Sequence, residues 1–566
     1  MAEQTRRRLP ILTSVQGYQR TWLTRDLIAG LTLWAVLVPE ALAYATIAGV
    51  SPVVGLYAAP PALVLYALFG SSKHLIVGPG AASAALSAAA VADLTTGGPD
   101  NFLAFTAVLA IVTGVFALVA GLLRFGFLAS FISEPVMKGF VIGLALTIII
   151  GQLPKMFGFE KGEGDFFEQT WDFLHHLGDT QWRTLVVGSL SLAIVLLLRR
   201  FAPVVPASLV AVAFGIAVVH IFALDQHGVA IVGPIDSGLP SIGLPHALSL
   251  SDYFTASASA VGIMLVAFAE GLGAAKTYAV AHHYTIDPNR ELIGLGAANI
   301  GSGLCQGMAV SGSLSKTAVN ESAGARSQLS GIVAAGATIV TLLFLTGLFE
   351  DLPEATLGAL VVAALIDLVD VGALVRLYRL STRQLGKIYG VAARPDFIAA
   401  MAAMLGVLVF DTLPGLFIGI GVSLLLLLYR AAHPYVAELG IVAGTPGQYA
   451  DLERHPDSET VPGVVILRIE GPLFFANADG VADAIRSHAA APGVRAVVLD
   501  GEAVSFVDSS AAGTLVNTAR ELASSGVHLV LAHDVGQVRD LLHAAEAKRL
   551  VEVFYPTVQA AVDAVS

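Results

Sequence analysis

The sequence predicts a multi-pass α-helical membrane protein of fourteen spans, built as two inverted seven-span repeats and followed by a C-terminal cytoplasmic α/β domain. Three observations predict it. Apolar residues make up 55% of the 566, charged residues only 13%, and there are 57 glycines, a balance far from soluble averages. The apolar residues fall into long runs up to Arg430, after which the character of the chain changes. Two of the runs are short, and they hold matching places, third in each set of seven.

In chain order the runs lie near 27–49, 53–70, 79–93, 102–123, 131–152, 182–200, 204–222, 254–281, 290–307, 311–324, 328–349, 355–375, 396–411 and 413–430. A full crossing needs about 20 residues. The runs beginning at Pro79 and Ser311 therefore read as half-helices preceded by extended backbone, the pattern that marks the midplane site of an inverted-repeat transporter. Seven is odd, so the second repeat inserts upside down. Residues 1–25 read as a cytoplasmic N-terminal segment, because Arg6-Arg7-Arg8 is followed by a polar stretch up to Asp26 and not by a signal-peptide core. Residues 26–432 form the transmembrane domain.

Charge supports this topology. It puts eighteen Lys/Arg on the cytoplasmic side and only three, Lys155, Lys161 and Arg183, outside, as the positive-inside rule requires. Lys276 and Lys316 fall within spans. Both termini are then cytoplasmic, in a plasma membrane of the bacterial inner-membrane kind. The lone Cys305 excludes an internal disulfide.

From 440 to 566 the chain alternates strand and helix: Val464 to Ile469, Ala478 to Ala490, Val494 to Leu499, Ser510 to Ser524, Val527 to Ala532, Gly536 to Ala545 and Val551 to Phe554. This module holds sixteen Asp/Glu against eight Lys/Arg and supplies most of the net charge of −12. The acidity belongs to a solvated domain, implies no nucleic-acid partner and says little about the membrane part. At Ser505-Phe506-Val507-Asp508-Ser509-Ser510 a strand end runs into a helix start, where Asp508 or Ser509 is an N-cap. Ser509 is also the candidate regulatory phosphosite.

The membrane part centres on Gly307 to Asn320, which carries Ser311, Ser313, Ser315, Thr317 and the full charge of Lys316 at a depth where hydrocarbon is expected. Polar backbone there must line a cavity or be satisfied internally. A loop that turns into a helix at Ser311-Gly312-Ser313 aims free N–H groups and a positive dipole end inward, a seat for an anion.

Three motifs carry a family resemblance: Val38-Pro39-Glu40-Ala41-Leu42-Ala43-Tyr44-Ala45, Gly70-Ser71-Ser72-Lys73-His74-Leu75-Ile76-Val77-Gly78-Pro79, and Ser311 to Asn320 followed by Gly324-Ala325-Arg326. The chain resembles the SulP, or sulfate permease, family of anion transporters with a C-terminal STAS domain over essentially its whole length. The resemblance implies core and gate domains and a homodimer. It puts the substrate-binding site between Gly80-Ala81-Ala82 and Ser311-Gly312-Ser313, closed by Glu40 and Tyr44 of the first span. Glu40 stands where the family commonly has glutamine. A carboxylate beside an anion repels it unless protonated, so Glu40 is a candidate for ion coupling. Glu270, preceded by more than a turn of apolar residues, is the second. By the resemblance its partner is Lys316, a lysine where arginine is usual.

These residues lead to a secondary active transporter that moves a small inorganic or organic anion by proton-coupled alternating access. Sulfate or a C4-dicarboxylate is favoured, since Ala81 and Ala82 leave room and Ser311 and Ser313 offer donors to an oxyanion. The alternatives are a sodium-coupled bicarbonate symporter and an anion exchanger. Sodium wants several oxygens around a carboxylate, and one turn beyond Glu270 stands Ala274, though Thr277 follows. A membrane-anchored sensor or scaffold would not need broken spans or buried charges. No enzyme, cofactor or metal is indicated: the sequence has no Walker motif or closely spaced His/Cys set, and His175-His176 and His282-His283 read as solvated loop residues.

Overall fold

The computed structural model describes residues 18–566 apart from 95–98, 128–132, 163, 203–204, 236, 246–249, 381–393, 411, 446, 534–535 and 545–554. Two compact units divide the chain: one runs to Tyr378 and resumes over Asp396–Val422, and the other comprises residues 379–395 and Ser423–Ser566.

The first repeat is α1 (Leu23–Ile47), α2 (Pro52–Phe69), strand β1 (Ile76–Pro79), α3 (Ala81–Leu94), α4 (Pro99–Leu122), α5 (Glu134–Phe157), α6 (Phe166–His175), α7 (Trp182–Phe201) and α8 (Ala207–Phe222). The second is α9 (Leu250–Thr255), α10 (Ser257–Ala281), α11 (Pro288–Leu304), β2 (Val310–Ser313), α12 (Leu314–Ser322), α13 (Leu329–Phe344), α14 (Glu354–Leu365), α15 (Val371–Arg379), α16 (Pro395–Phe410) and α17 (Thr412–Ala432). Among the described residues seven helices are long and apolar enough to cross a membrane, and five shorter apolar helices accompany them. Each apolar run read from the sequence has its helix. Among the described residues two short helices, α6 and α9, are additional. The run read as one span over 355–375 is divided, because α14 stops at Leu365 and α15 follows a tight turn at Ile366–Leu368.

Local chemistry accounts for the ends. Pro52 and Pro288 open their helices where a missing N–H costs nothing, and Asp287 caps α11 by accepting from Asn289 N. Gly158 closes α5 at φ 83°, a left-handed conformation suited to glycine.

The two broken spans meet at their strands. β1 and β2 pair antiparallel in the register Ile76↔Ser313, Val77↔Gly312, Gly78↔Ser311 and Pro79↔Val310. The antiparallel sense is what two repeats of opposite insertion produce, and the pairing satisfies backbone groups that hydrocarbon cannot. Buried side chains complete the frame. Asn299 of α11 accepts from Val310 N at 2.9 Å and donates to Val310 O and Leu295 O at 3.0 Å. The Thr317 hydroxyl accepts from Ile76 N, Asn320 donates to His74 O, and Gln328 donates to both Ser72 O and Leu75 O. Two buried acids act at helix starts. Glu291 accepts from the Tyr66 hydroxyl, from Ser71 N and Oγ, and from Ser72 N, while Asp26 accepts from Arg326 N, Ser327 N and Ser327 Oγ. α10 lies against β2 where Gly271 faces Gly312, so closely that a methyl on Gly312 would fall 2.5 Å from the Gly271 Cα.

The C-terminal domain is a five-stranded sheet of order β4-β3-β5-β6-β7, with β3 Tyr435–Ile441, β4 Tyr449–Asp451, β5 Val464–Glu470, β6 Ala496–Asp500 and β7 His528–Ala532. β5, β6 and β7 run parallel, and β3 is antiparallel to β5. Leu467 and Ile469 face α18 (Ala478–Ala489) and α19 (Ser509–Ser524), whereas Val464 and Ile466 face the C-terminal helix Val558–Val565. β3 straddles residue 440 and went unread, as did β4 and the last helix. The strand expected over Val551 to Phe554 lies outside the described residues.

Asn299→Ala leaves Val310 N–H and C=O buried without a side-chain partner, and each such orphan costs about 1–3 kcal/mol. The expected result is a clear fall in the thermal midpoint of the purified protein; an unchanged midpoint would mean that β2 does not depend on this clamp.

Candidate functional site

Several residues singled out from the sequence, Glu40, Tyr44, Gly80, Ser311 and Lys316, converge on the junction of β1 with α3. Pro39, inside α1, removes one backbone donor from the helix, and the next residue, Glu40, is buried with its carboxylate turned into the protein. One turn on, Tyr44 reaches back and its hydroxyl lies 3.4 Å from Glu40 Oε2. Lys316 stands on the first turns of α12, and its side chain runs back along the helix toward β1, the direction helical side chains favour. The lysine side chain is 1% exposed. Nζ lies 2.7 Å from Pro79 O, 3.2 Å from Glu40 Oε2 and 4.8 Å from the centre of the Tyr44 ring. A carboxylate, a carbonyl and an aromatic face therefore hold the charge.

This corrects one expectation. The resemblance gave Glu270 as the partner of Lys316, but the ammonium is paired with Glu40. Glu270 is half-buried one residue before the Gly271–Gly312 contact, on the face of α10 that covers β2. The reason is geometric: the lysine points back to Pro79, where α1 packs, and away from the stretch of β2 that α10 covers.

Ser311 is 2% exposed, and its hydroxyl crowds Gly80 so closely that a methyl there would lie 2.6 Å from it. Gly80 thus allows the side chain of one repeat to reach the helix start of the other. Ala82 is buried and Ala81 half-buried in the first turn of α3. Ser313 plays a different part. Its hydroxyl accepts from Lys316 N at 3.3 Å as the N-cap of α12 and bonds Ser315 Oγ at 3.1 Å. In the C-terminal domain Asp508 is the N-cap of α19, accepting from Ala511 N at 2.8 Å, and Ser509 is the exposed first residue of that helix.

Sequence reasoning missed the acids and amides that hold the frame: Asp26, Glu291, Asn299, Asn320 and Gln328. A signal was present, since a charged or amide side chain inside an apolar run is costly unless it has a fixed partner. His282 was also misread as solvated. It stacks on His74 at 4.3 Å and contacts Glu321 Oε1 at 3.1 Å. Burial and the neighbouring His282 push the loop residue His74 down to about 4.

A strand-broken pair of half-helices, with a buried lysine and carboxylate at their junction, fits a multi-pass membrane transporter. Residues 23–389 match the family model described as the sulfate permease family, and residues 455–561 match the STAS domain. The chain belongs to the sulfate permease family of anion transporters. The Mycobacterium tuberculosis protein named "Probable sulfate transporter Rv1739c" is 37% identical over 538 residues, 95% of this chain and 94% of that one. The Arabidopsis thaliana protein "Sulfate transporter 4.1, chloroplastic" is 30% identical over 528 residues, 90% and 75% of the two chains. The fold is also that of murine Slc26a9 in its inward-facing state, with TM-score 0.86, 22% identity and coverage of 97% and 92%. The transmembrane domain of the cyanobacterium bicarbonate transporter BicA aligns with TM-score 0.61 at 24% identity, over 71% of this chain and 98% of that one.

Removing one member of the pair tests it. Lys316→Ala leaves Glu40 charged and buried and is expected to destabilise the protein by about 3–5 kcal/mol, as broken buried pairs do. Adding Glu40→Gln is expected to recover most of that loss in equilibrium unfolding of the solubilised protein. Equal losses in the single and double variants would contradict the pairing.

Proposed function

We propose that the chain carries sulfate across the plasma membrane together with a proton, by alternating access, with Glu40 as the coupling acid. The Lys316–Glu40 pair carries this reading. While Glu40 is ionised it neutralises the ammonium, and an arriving anion meets a net charge near zero. Protonation of Glu40 removes the competing carboxylate, and the ammonium is then free to attract the anion at the start of α3, beside the Ser311 hydroxyl. Proton and anion are thereby favoured together. Glu270, next to the Gly271–Gly312 approach of α10 to β2, acts as a second acid. Tyr44 keeps the ammonium in place through its ring.

Sulfate is preferred because relatives aligned over nearly the whole chain are named sulfate transporters, and a hydroxyl beside a helix start suits an oxyanion. The excess of Lys/Arg on one side of the spans supports cytoplasmic termini. A homodimer and a regulatory role for Ser509, exposed at the start of its helix, belong to the same proposal.

Uptake of radiolabelled sulfate, fumarate and bicarbonate into proteoliposomes, under an inward proton gradient, an inward sodium gradient or neither, tests the reading. Sulfate uptake is expected to rise under the proton gradient in the wild type. In Glu40→Gln, which fixes the uncharged form, that stimulation should be lost while a basal, gradient-independent flux persists. Stimulation by sodium alone, or a proton dependence that survives in Glu40→Gln, would reject Glu40 as the coupling acid.

A further inference from the structure

The C-terminal domain keeps two phenylalanines in the open. Phe475 is 72% and Phe506 45% exposed, on two loops that leave the same end of the sheet. Neither is a loose tip. The Phe475 N–H donates to Asp508 Oδ2 at 2.9 Å, Leu473 N donates to Phe506 O at 3.0 Å, and the ring of Phe474 stacks on Phe506 at 6.4 Å. Two aromatic rings fixed outward on an acidic, otherwise solvated domain need a cover, since each carries a large apolar area.

The same loop shows what covers it. Asn477, 2% exposed, donates through Nδ2 to Ala431 O in the last turn of α17 and to Pro472 O, both at 2.9 Å. One turn earlier on that helix Leu425, Leu427 and Leu428 are each more than 60% exposed, as residues facing lipid are. From Leu428 to Ala431 the helix rises about 4.5 Å. The loop is therefore bonded to the transmembrane helix about one turn beyond its last lipid-facing leucines, a step no larger than the roughly 5–10 Å depth to which interfacial apolar groups are buried. We infer that Phe475 and Phe506 anchor the domain in the headgroup layer of the bilayer, so that the start of α19, with Asp508 and Ser509, is held at the membrane surface.

The test uses the full chain in proteoliposomes, with Cys305→Ser as background and one nitroxide label at Phe475→Cys. Ala476→Cys, at the neighbouring exposed position, serves as a second variant. Ser525→Cys, exposed at the far end of the 16-residue α19 and so about 24 Å along it, is the aqueous control. Power saturation reads collisions with oxygen and with a water-soluble nickel chelate. At 475 and 476 the expected result is a several-fold lower nickel collision rate than at 525, together with a higher oxygen rate. Nickel access equal to that at 525 would overturn the inference by showing a solvated loop. Shielding from both reagents would overturn it in favour of a protein cover, such as a second copy of the chain.

Discussion

A lysine ammonium that is almost wholly removed from solvent among apolar helices must be neutralised, and Lys316 satisfies that demand in a way that ties three elements together. Its side chain starts on α12, ends on the carbonyl that closes β1, and pairs with a carboxylate from α1. Losing the partner costs more than the pair gains, because an uncompensated buried charge is left behind. The two repeats and the first span are thus held by one charge whose counter-charge can be removed by a proton. An arrangement that only needed rigidity would be served as well by apolar packing.

Around that charge the rest of the first unit reads as scaffolding for two strands. Each has backbone groups that a bilayer cannot satisfy, and they satisfy each other in an antiparallel pair supported by Asn299, Thr317, Asn320 and Gln328. Small residues do the remaining work. Gly271 and Gly312 allow α10 to approach the strand backbone, and Gly80 admits the Ser311 side chain. These approaches set how close a carboxylate, a hydroxyl and an ammonium stand.

Much of this was legible in the sequence, because the physics that writes it is local. Apolar run length fixes spans, and a lysine or acid inside a run is conspicuous. The short runs at Pro79 and Ser311 betrayed the broken helices. What stayed hidden depends on side-chain direction and long-range approach. That Lys316 meets Glu40 and not Glu270 follows from how α1 and α10 flank the strand pair, which no spacing in the chain encodes. α6 and α15 are short and amphipathic and were lost beside stronger apolar signals. β3 and β4 lie where the composition is mixed. His282 looked like an ordinary loop residue, since its stacking partner, His74, is more than 200 positions away in the chain.

The central claim is that proton and anion divide one ion pair between them, the proton taking Glu40 and the anion Lys316. The most direct measurement is the proton uptake that accompanies sulfate binding to the purified protein, read by calorimetry in buffers of different ionisation enthalpy. The account predicts uptake approaching about one proton per bound anion in the wild type, as linkage requires, and none in Glu40→Gln. Equal proton uptake in both, or its loss in Glu270→Gln instead, would contradict it.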